Sequence, residues 1–165
     1  MAKATKQIPE GHHTVTPHLV LRNASQAIDF YKKALGAQEL GRMTSPDGKI
    51  GHAELKIGDS IIFLADEFQA GPNCPKSPQT LGASTVTLML YVPDVDSTFK
   101  QAVAAGAKET MAVQDMFWGD RYGTFTDPFG HTWGVATHKE DLTKEEVEER
   151  AKAFWANMQS QRKSA

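Results

Sequence analysis

Histidines and carboxylates are the residues of this sequence that could hold a metal ion or move a proton. His131 and His138 frame a strand-like run, but they lie an odd number of positions apart, so a regular strand points them to opposite faces. They are therefore not a ligand pair. His52 and Glu54, in "HAE", share one face of a strand, which is a chelating arrangement. Lys56 continues that face, however, and favours a solvated surface.

Other reactive groups are few. His18 could act as a general base because the ordinary pKa of histidine lies near about 6.5, or it could be a half-buried structural histidine. The single Cys74 lies among prolines with no base beside it, which argues against a nucleophilic role. The sequence contains no Walker loop, no GxSxG and no paired catalytic carboxylates.

The elements that would position these groups occur in the same order twice. Alternation, helical periodicity and turn residues predict a strand, a helix and three strands within residues 15–67, and again within 85–138. Residues 68–84 contain three prolines and no periodicity, so we expect a connecting loop there. The prediction is an α+β fold of two tandem βαβββ modules.

Two segments flank these modules. Residues 1–14 are polar and predict a flexible N-terminal arm. Residues 139–165 predict a C-terminal helical extension that begins with a capping box, Thr143 and Glu146. Its apolar stripe could pack on the domain itself or on a partner chain.

Composition excludes several classes of protein. The net charge is −2, with lysine and arginine scattered, so no basic stripe indicates nucleic-acid binding. No apolar run approaches the ~20 residues that span a bilayer, and no apolar stretch follows the N-terminal lysines as in a secretory signal. We expect a cytoplasmic protein.

The module order and three segments carry a family resemblance. The stretches "AIDFYKKALGA", "YVPDVDSTFKQAVAAGA" and "DPFGHTWGVATH" resemble the glyoxalase, bleomycin-resistance and extradiol-dioxygenase superfamily, also called vicinal oxygen chelate proteins. Together with "GKIGHAELKIGDSIIFLADEF", they are most similar to an uncharacterised glyoxalase-like branch related to phosphonate-operon proteins. The resemblance implies that each module curls into a half-barrel, with its helix outside and a concave face inside.

The resemblance also implies where a metal would bind. In metal-using members, the first and last strands of each module each supply one His, Glu or Gln ligand. The corresponding positions here are Thr16 or His18, Phe63, Thr87 and Gly134. A catalytic divalent ion needs about three protein ligands, and only His18 is a plausible one. We therefore expect no metal ligands and no cofactor, and a divalent metal is disfavoured.

Without a metal, the concave face becomes a predicted ligand pocket, mostly apolar with a few polar groups, as small-molecule sites are. We expect Arg22 either to hold an anionic ligand or to meet water, and "FWGDRYG" to form either a lid with a charged pair or ordinary packing. The predicted lining residues are His18, Arg22, Phe63, Thr87, Met89, Tyr91, Trp118 and Arg121.

Three functions follow from this pattern. The first is metal-independent binding or sequestration of a small organic molecule by a homodimer. The second is a metal-dependent lyase, isomerase or dioxygenase with the rearranged ligands His18, His52 and Glu54. The third is a structural or regulatory dimer without a small ligand. The sequence leaves open whether the protein is an enzyme.

Overall fold

The computed structural model describes residues 6–68, 71 and 73–163. Within them, the strands and helices follow one another as the sequence pattern predicts, with one additional short helix. Their bounds are β1 His18–Leu21, α1 Ala24–Leu35, β2 Gln38–Thr44, β3 Ile50–Ile57, β4 Ser60–Asp66, α2 Pro78–Leu81, β5 Thr87–Tyr91, α3 Val95–Ala105, β6 Lys108–Asp115, β7 Asp120–Thr126, β8 Thr132–His138 and α4 Lys144–Lys163.

The strands form two four-stranded sheets with identical topology. The order is β1-β4-β3-β2 in the first sheet and β5-β8-β7-β6 in the second. The pairs β1–β4 and β5–β8 are parallel, and the remaining neighbours are antiparallel. The predicted α+β fold of two βαβββ modules with a C-terminal helix is confirmed.

The additional helix, α2, lies in the segment between the modules. Ser77 caps this helix. The backbone N–H and the hydroxyl of Ser77 both donate to the Glu67 carboxylate, at 3.0 and 2.6 Å. The Thr80 hydroxyl donates to the same carboxylate at 2.7 Å. The prolines of this stretch interrupt the helical periodicity of the sequence. A helix still forms at Pro78, because this proline occupies the first turn of α2, where no backbone N–H is needed.

Helices α1 and α3 each pack on the outer face of the sheet of their own module. Asn23 caps α1 and Asp94 caps α3, each accepting a backbone N–H in the first turn, and a glycine with positive φ ends each helix. Alternate strand residues then face the helices and form the core. The buried strand residues on this outer side include Leu19, Leu21, Ala53, Leu55, Leu64, Phe125, Trp133 and Val135.

A buried carboxylate joins the two modules. Asp127 accepts hydrogen bonds from the Tyr31 hydroxyl of α1 at 2.6 Å and from the Trp133 indole at 3.0 Å. Its other oxygen accepts the backbone N–H groups of Phe129 and His131, both at 2.9 Å, which closes the predicted "DPFG" turn. The first helix is thereby fixed to the last hairpin of the second module.

The two flanking segments contact the domain. Residues 6–14 of the predicted arm lie along the first sheet, where Gly11 approaches Ile61, while residues 1–5 lie outside the described residues. The capping box forms as predicted, with reciprocal bonds between Thr143 and Glu146 at 2.8 and 3.2 Å. Neither α4 nor any other described helix has the length and apolar character needed to cross a membrane.

We predict that Asp127→Ala lowers the free energy of unfolding by roughly 3 to 5 kcal/mol, because it leaves the Tyr31 and Trp133 donors buried without an acceptor. Tyr31→Phe removes one donor and should cost about 1 to 3 kcal/mol. Urea unfolding followed by circular dichroism measures both. Asp29→Ala, an exposed change on α1, is the control. Equal stability of Asp127→Ala and this control would contradict the assigned role of Asp127.

Candidate functional site

The inner faces of both sheets, opposite the helices, form the candidate site. Cross-strand pairs define these faces: His18 lies opposite Phe63 and Glu54 opposite Phe63 in the first sheet. In the second sheet, Met89 lies opposite Gly134. The inner faces are less covered than the outer ones, and the side chains of Met89 and Tyr91 are 45% and 60% exposed.

The inner face of the first module carries histidines around one phenylalanine. The rings of His52, His12 and His18 lie 4.8, 5.7 and 6.1 Å from the Phe63 ring. Glu54 stands between two of them, with His52 Nε2 3.3 Å from Oε1 and His12 Nε2 3.8 Å from Oε2. Burial, and secondarily the charge of His52, lower the pKa of His18, so the neutral imidazole is favoured.

The inner face of the second module is lined by aromatic rings. The Tyr122 ring covers Gly134: a Cβ atom at that glycine would lie 2.7 Å from Tyr122 Cε2 and 3.0 Å from Met89 Sδ. The Trp118 ring stands 5.8 Å from the Tyr122 ring. Because Gly134 has no side chain, the Tyr122 ring can lie directly against the backbone at that position.

Behind these rings lies a second buried carboxylate, Asp120. Its Oδ2 accepts the Tyr91 hydroxyl at 2.9 Å and the Trp118 indole N–H at 3.0 Å, and its Oδ1 is 2.8 Å from His138 Nδ1. The other ring nitrogen of His138 is 3.0 Å from Asp141.

These contacts lower the pKa of Asp120 and raise the pKa values of Tyr91 and His138. Burial opposes the ionisation of Asp120, but the hydrogen bonds from His138, Tyr91 and Trp118 outweigh it and lower the pKa. The bond that Tyr91 donates to Asp120 raises the pKa of the phenol. Hydrogen bonds to Asp120 and then Asp141 raise the pKa of His138. The cluster thus contains an anionic carboxylate, a neutral phenol and a histidine biased towards its protonated form.

A family model described as the Glyoxalase/Bleomycin resistance protein/Dioxygenase superfamily matches residues 12–135. The chain belongs to this superfamily. An uncharacterised protein of Mycobacterium tuberculosis is 43% identical over 135 residues, covering 81% of this chain and 79% of that protein. The resemblance to the superfamily is thereby confirmed.

Solved structures share the superfamily fold. TioX from Micromonospora sp. ML1 is 26% identical with a TM-score of 0.61, covering 76% of this chain and 98% of that chain. The PhnB protein from Bacillus cereus is 15% identical with a TM-score of 0.59, covering 76% and 99% respectively. At that identity, the likeness to PhnB concerns the fold alone.

The ligand positions that the superfamily resemblance implies do not fit a metal ion. In the first module, Asp66 accepts the first backbone N–H of α1, and in the second, Thr137 accepts that of α3. Counting back from these equivalent residues aligns Phe63 with Gly134. Neither residue has a donor side chain. Among residues 6–68, 71 and 73–163, no three His, Cys, Asp or Glu side chains are arranged to hold a metal ion.

The same alignment changes one assignment. The register places Met89, not Thr87, opposite Gly134, so Met89 is the counterpart of His18. Its thioether is a weak, soft donor and a poor replacement for the imidazole at a site for hard divalent ions. With Met89 in place of Thr87, His18 therefore still is the only ordinary ligand for a divalent ion among the four positions.

The structure brings most of the predicted lining residues together on the two inner faces. These are His18, Phe63, Thr87, Met89, Tyr91 and Trp118. Arg22 instead lies beyond the end of β1, where its Nε donates to Thr80 at 3.1 Å. Arg121 faces α3 and donates to both oxygens of Asp96, at 2.7 and 2.8 Å. The neighbours Asp120 and Arg121 of "GDRYG" thus lie on opposite faces of β7.

Some residues of the site were not expected from the sequence. For Tyr122 the sequence does contain a signal: the alternation in "DRYGTFT" places Asp120 and Tyr122 on one face of β7. His52 and Glu54 lie on the inner face with Phe63 and are half-buried, rather than on a solvated surface. Nothing in the polar sequence of the arm indicates that His12 would reach Phe63.

We predict that His138 titrates above 6.5 in NMR spectra and that Asp120→Asn lowers this pKa, because the substitution removes the charge that favours the imidazolium. With its pKa raised in the folded state, His138 contributes stability below pH 6.5 and loses this contribution as the pH rises through the folded pKa. Asp115→Asn, at an exposed carboxylate bound to Arg121, is the control. An unchanged His138 pKa in Asp120→Asn would contradict the assigned contact.

Proposed function

We propose that the protein binds or sequesters a small organic molecule on the inner faces of its sheets without using a metal ion. One observation carries this proposal. The two parallel strand pairs, β1–β4 and β5–β8, present His18, Phe63, Met89 and Gly134, a set in which only His18 is an ordinary ligand for a divalent ion. Rings and a thioether occupy the surface where the superfamily's metal ligands would stand.

The space between the modules supports the same function. A cavity of about 690 Å³ is lined by residues 87–91 of β5 on one side and residues 57–62 on the other. A second cavity, of about 380 Å³, runs beside β1 and includes His18 and His131. Both volumes fall within the range of roughly 300–1,000 Å³ that is typical of small-molecule sites, and both linings are mostly apolar.

A metal-dependent lyase, isomerase or dioxygenase is the competing proposal. The contact between His52 and Glu54, with His18 on the same face, favours it. Against it, no three His, Cys, Asp or Glu side chains in the described part of the chain are arranged to hold one ion, and these include His18, His52 and Glu54. We therefore place this function second, and a structural or regulatory dimer without a ligand third.

We also propose that two copies of the chain pair with these open faces towards each other, so that the bound molecule lies between them. Exposed apolar side chains on an inner face favour a partner that covers them, and Met89 and Tyr91 are 45% and 60% exposed. Trp155 of α4 is also 55% exposed, whereas its neighbour Phe154 packs on Phe117 of the same chain, 5.2 Å between ring centres.

Light scattering at micromolar concentration should therefore give twice the chain mass of 18.1 kDa. Met89→Arg should shift the protein towards the monomer because it places a charge in the apolar interface. A wild-type protein that is monomeric under these conditions would remove the dimer from the proposal.

Binding is tested by thermal shift against a panel of flat aromatic metabolites and antibiotics, with and without EDTA. We expect at least one compound to raise the melting temperature equally in both conditions. Met89→Arg should abolish the shift by filling the inner face, while Val103→Arg, on the exposed side of α3, should retain it. A shift that requires a divalent ion would favour the enzymatic alternative. No shift with any compound would favour the dimer without a ligand.

A further inference from the structure

Three polar groups of the second module's inner face are directed towards one buried carboxylate rather than towards the open surface. The Tyr91 hydroxyl and the Trp118 indole N–H both point into Asp120, and so does His138. Asp120 is only 4% exposed, so these bonds are formed in a poorly solvated environment where they are strong.

This arrangement fixes what Tyr91 can offer. A phenol has one proton to donate and lone pairs that accept. Because its proton is held by Asp120, the exposed oxygen of Tyr91 meets a ligand as an acceptor only. The bond to an anion also makes that oxygen more electron-rich, since hydrogen bonds in a chain polarise one another. The raised pKa of Tyr91 keeps the proton in place.

The surroundings of Tyr91 add π faces and negative charge. Trp118 and Tyr122 present half-buried rings, and Met89 presents a polarisable thioether. On β5, β7 and β8, His138 is the one basic group among the inner-face positions, and it lies between Asp120 and Asp141. These three groups are net negative whether or not His138 is protonated.

Resting on the function proposed above, we propose that the second module takes a flat apolar molecule that carries a protonated amine, with an N–H group donating to Tyr91 and the ring system lying against Trp118, Tyr122 and Met89. The carboxylate of Asp120 makes no direct contact, because it is only 4% exposed and Tyr91 and Trp118 donate to it from the ligand side. It is a positioning residue that sets the direction of the Tyr91 hydrogen bond.

Three probes of similar shape test this inference by isothermal titration calorimetry at neutral pH. Proflavine is a cation with amino donors, acridine is neutral without them, and anthracene-9-carboxylate is an anion. We expect proflavine to bind about tenfold or more tighter than acridine, the worth of one hydrogen bond from a charged donor, and the anion to bind weakest.

Tyr91→Phe should reduce proflavine affinity to near that of acridine and leave acridine binding unchanged. Ser97→Ala is the control: it removes a hydroxyl from an exposed position of α3, away from the inner face, and should preserve the preference. In Asp120→Asn, the preference for proflavine over acridine should fall although Tyr91 is intact.

The outcomes separate the two proposals. Acridine or the anion binding as tightly as proflavine would overturn the amine preference and leave metal-independent binding standing. A proflavine preference that survives Tyr91→Phe would overturn the role of Tyr91. If none of the probes binds, even at millimolar concentration, the inference fails, and the proposed function is then judged by the broader thermal-shift panel alone.

Discussion

Asp127 receives hydrogen bonds from both modules at the point where α1 of the first meets the last hairpin of the second. Four donors converge on it: two side chains buried in the core and two backbone groups of its own turn. Because this junction lies on the helix side of the sheets, it brings the outer faces together and leaves both inner faces free of the helices α1 and α3. The position of the candidate site is thus a consequence of where the modules are fastened to each other. Gln101, which donates to the backbone of α1 at 2.6 Å, extends the same helix-side contact.

The second buried carboxylate acts on the opposite side of the sheet. Asp120 collects three side-chain donors and so decides which groups of the inner face remain available to a ligand. The two inner faces differ in chemistry although their strands are equivalent. The first carries imidazoles around Phe63, partly covered by the arm, and the second carries phenol and indole rings. A duplicated backbone has therefore been given two different half-sites, which suits an asymmetric organic molecule better than a symmetric metal centre.

Local patterns of the sequence predict the backbone well because they are caused by nearby residues. Asn23, Asp94 and Gly36 begin or end helices through contacts within one turn, and "DPFG" closes its own hairpin. The site is harder to predict because its contacts connect distant residues. Tyr31 and Asp127 are recognisable as a helix residue and a turn residue, yet nothing local indicates their bond. Arg121 follows Asp120 directly, but strand alternation places its side chain on the helix side, where it donates to both oxygens of Asp96. His52 and Glu54 look solvated until the arm and Phe63 are placed beside them.

The proposed function requires that the inner faces bind an organic molecule and not a metal ion. Its most direct test is elemental analysis of the full-length protein, purified without chelators from cells grown with added zinc, manganese, nickel and iron. We expect well under one divalent ion per chain. One ion per chain, lost on replacing His18, His52 or Glu54 by alanine while the fold is retained, would contradict it and establish a metal centre in the first module.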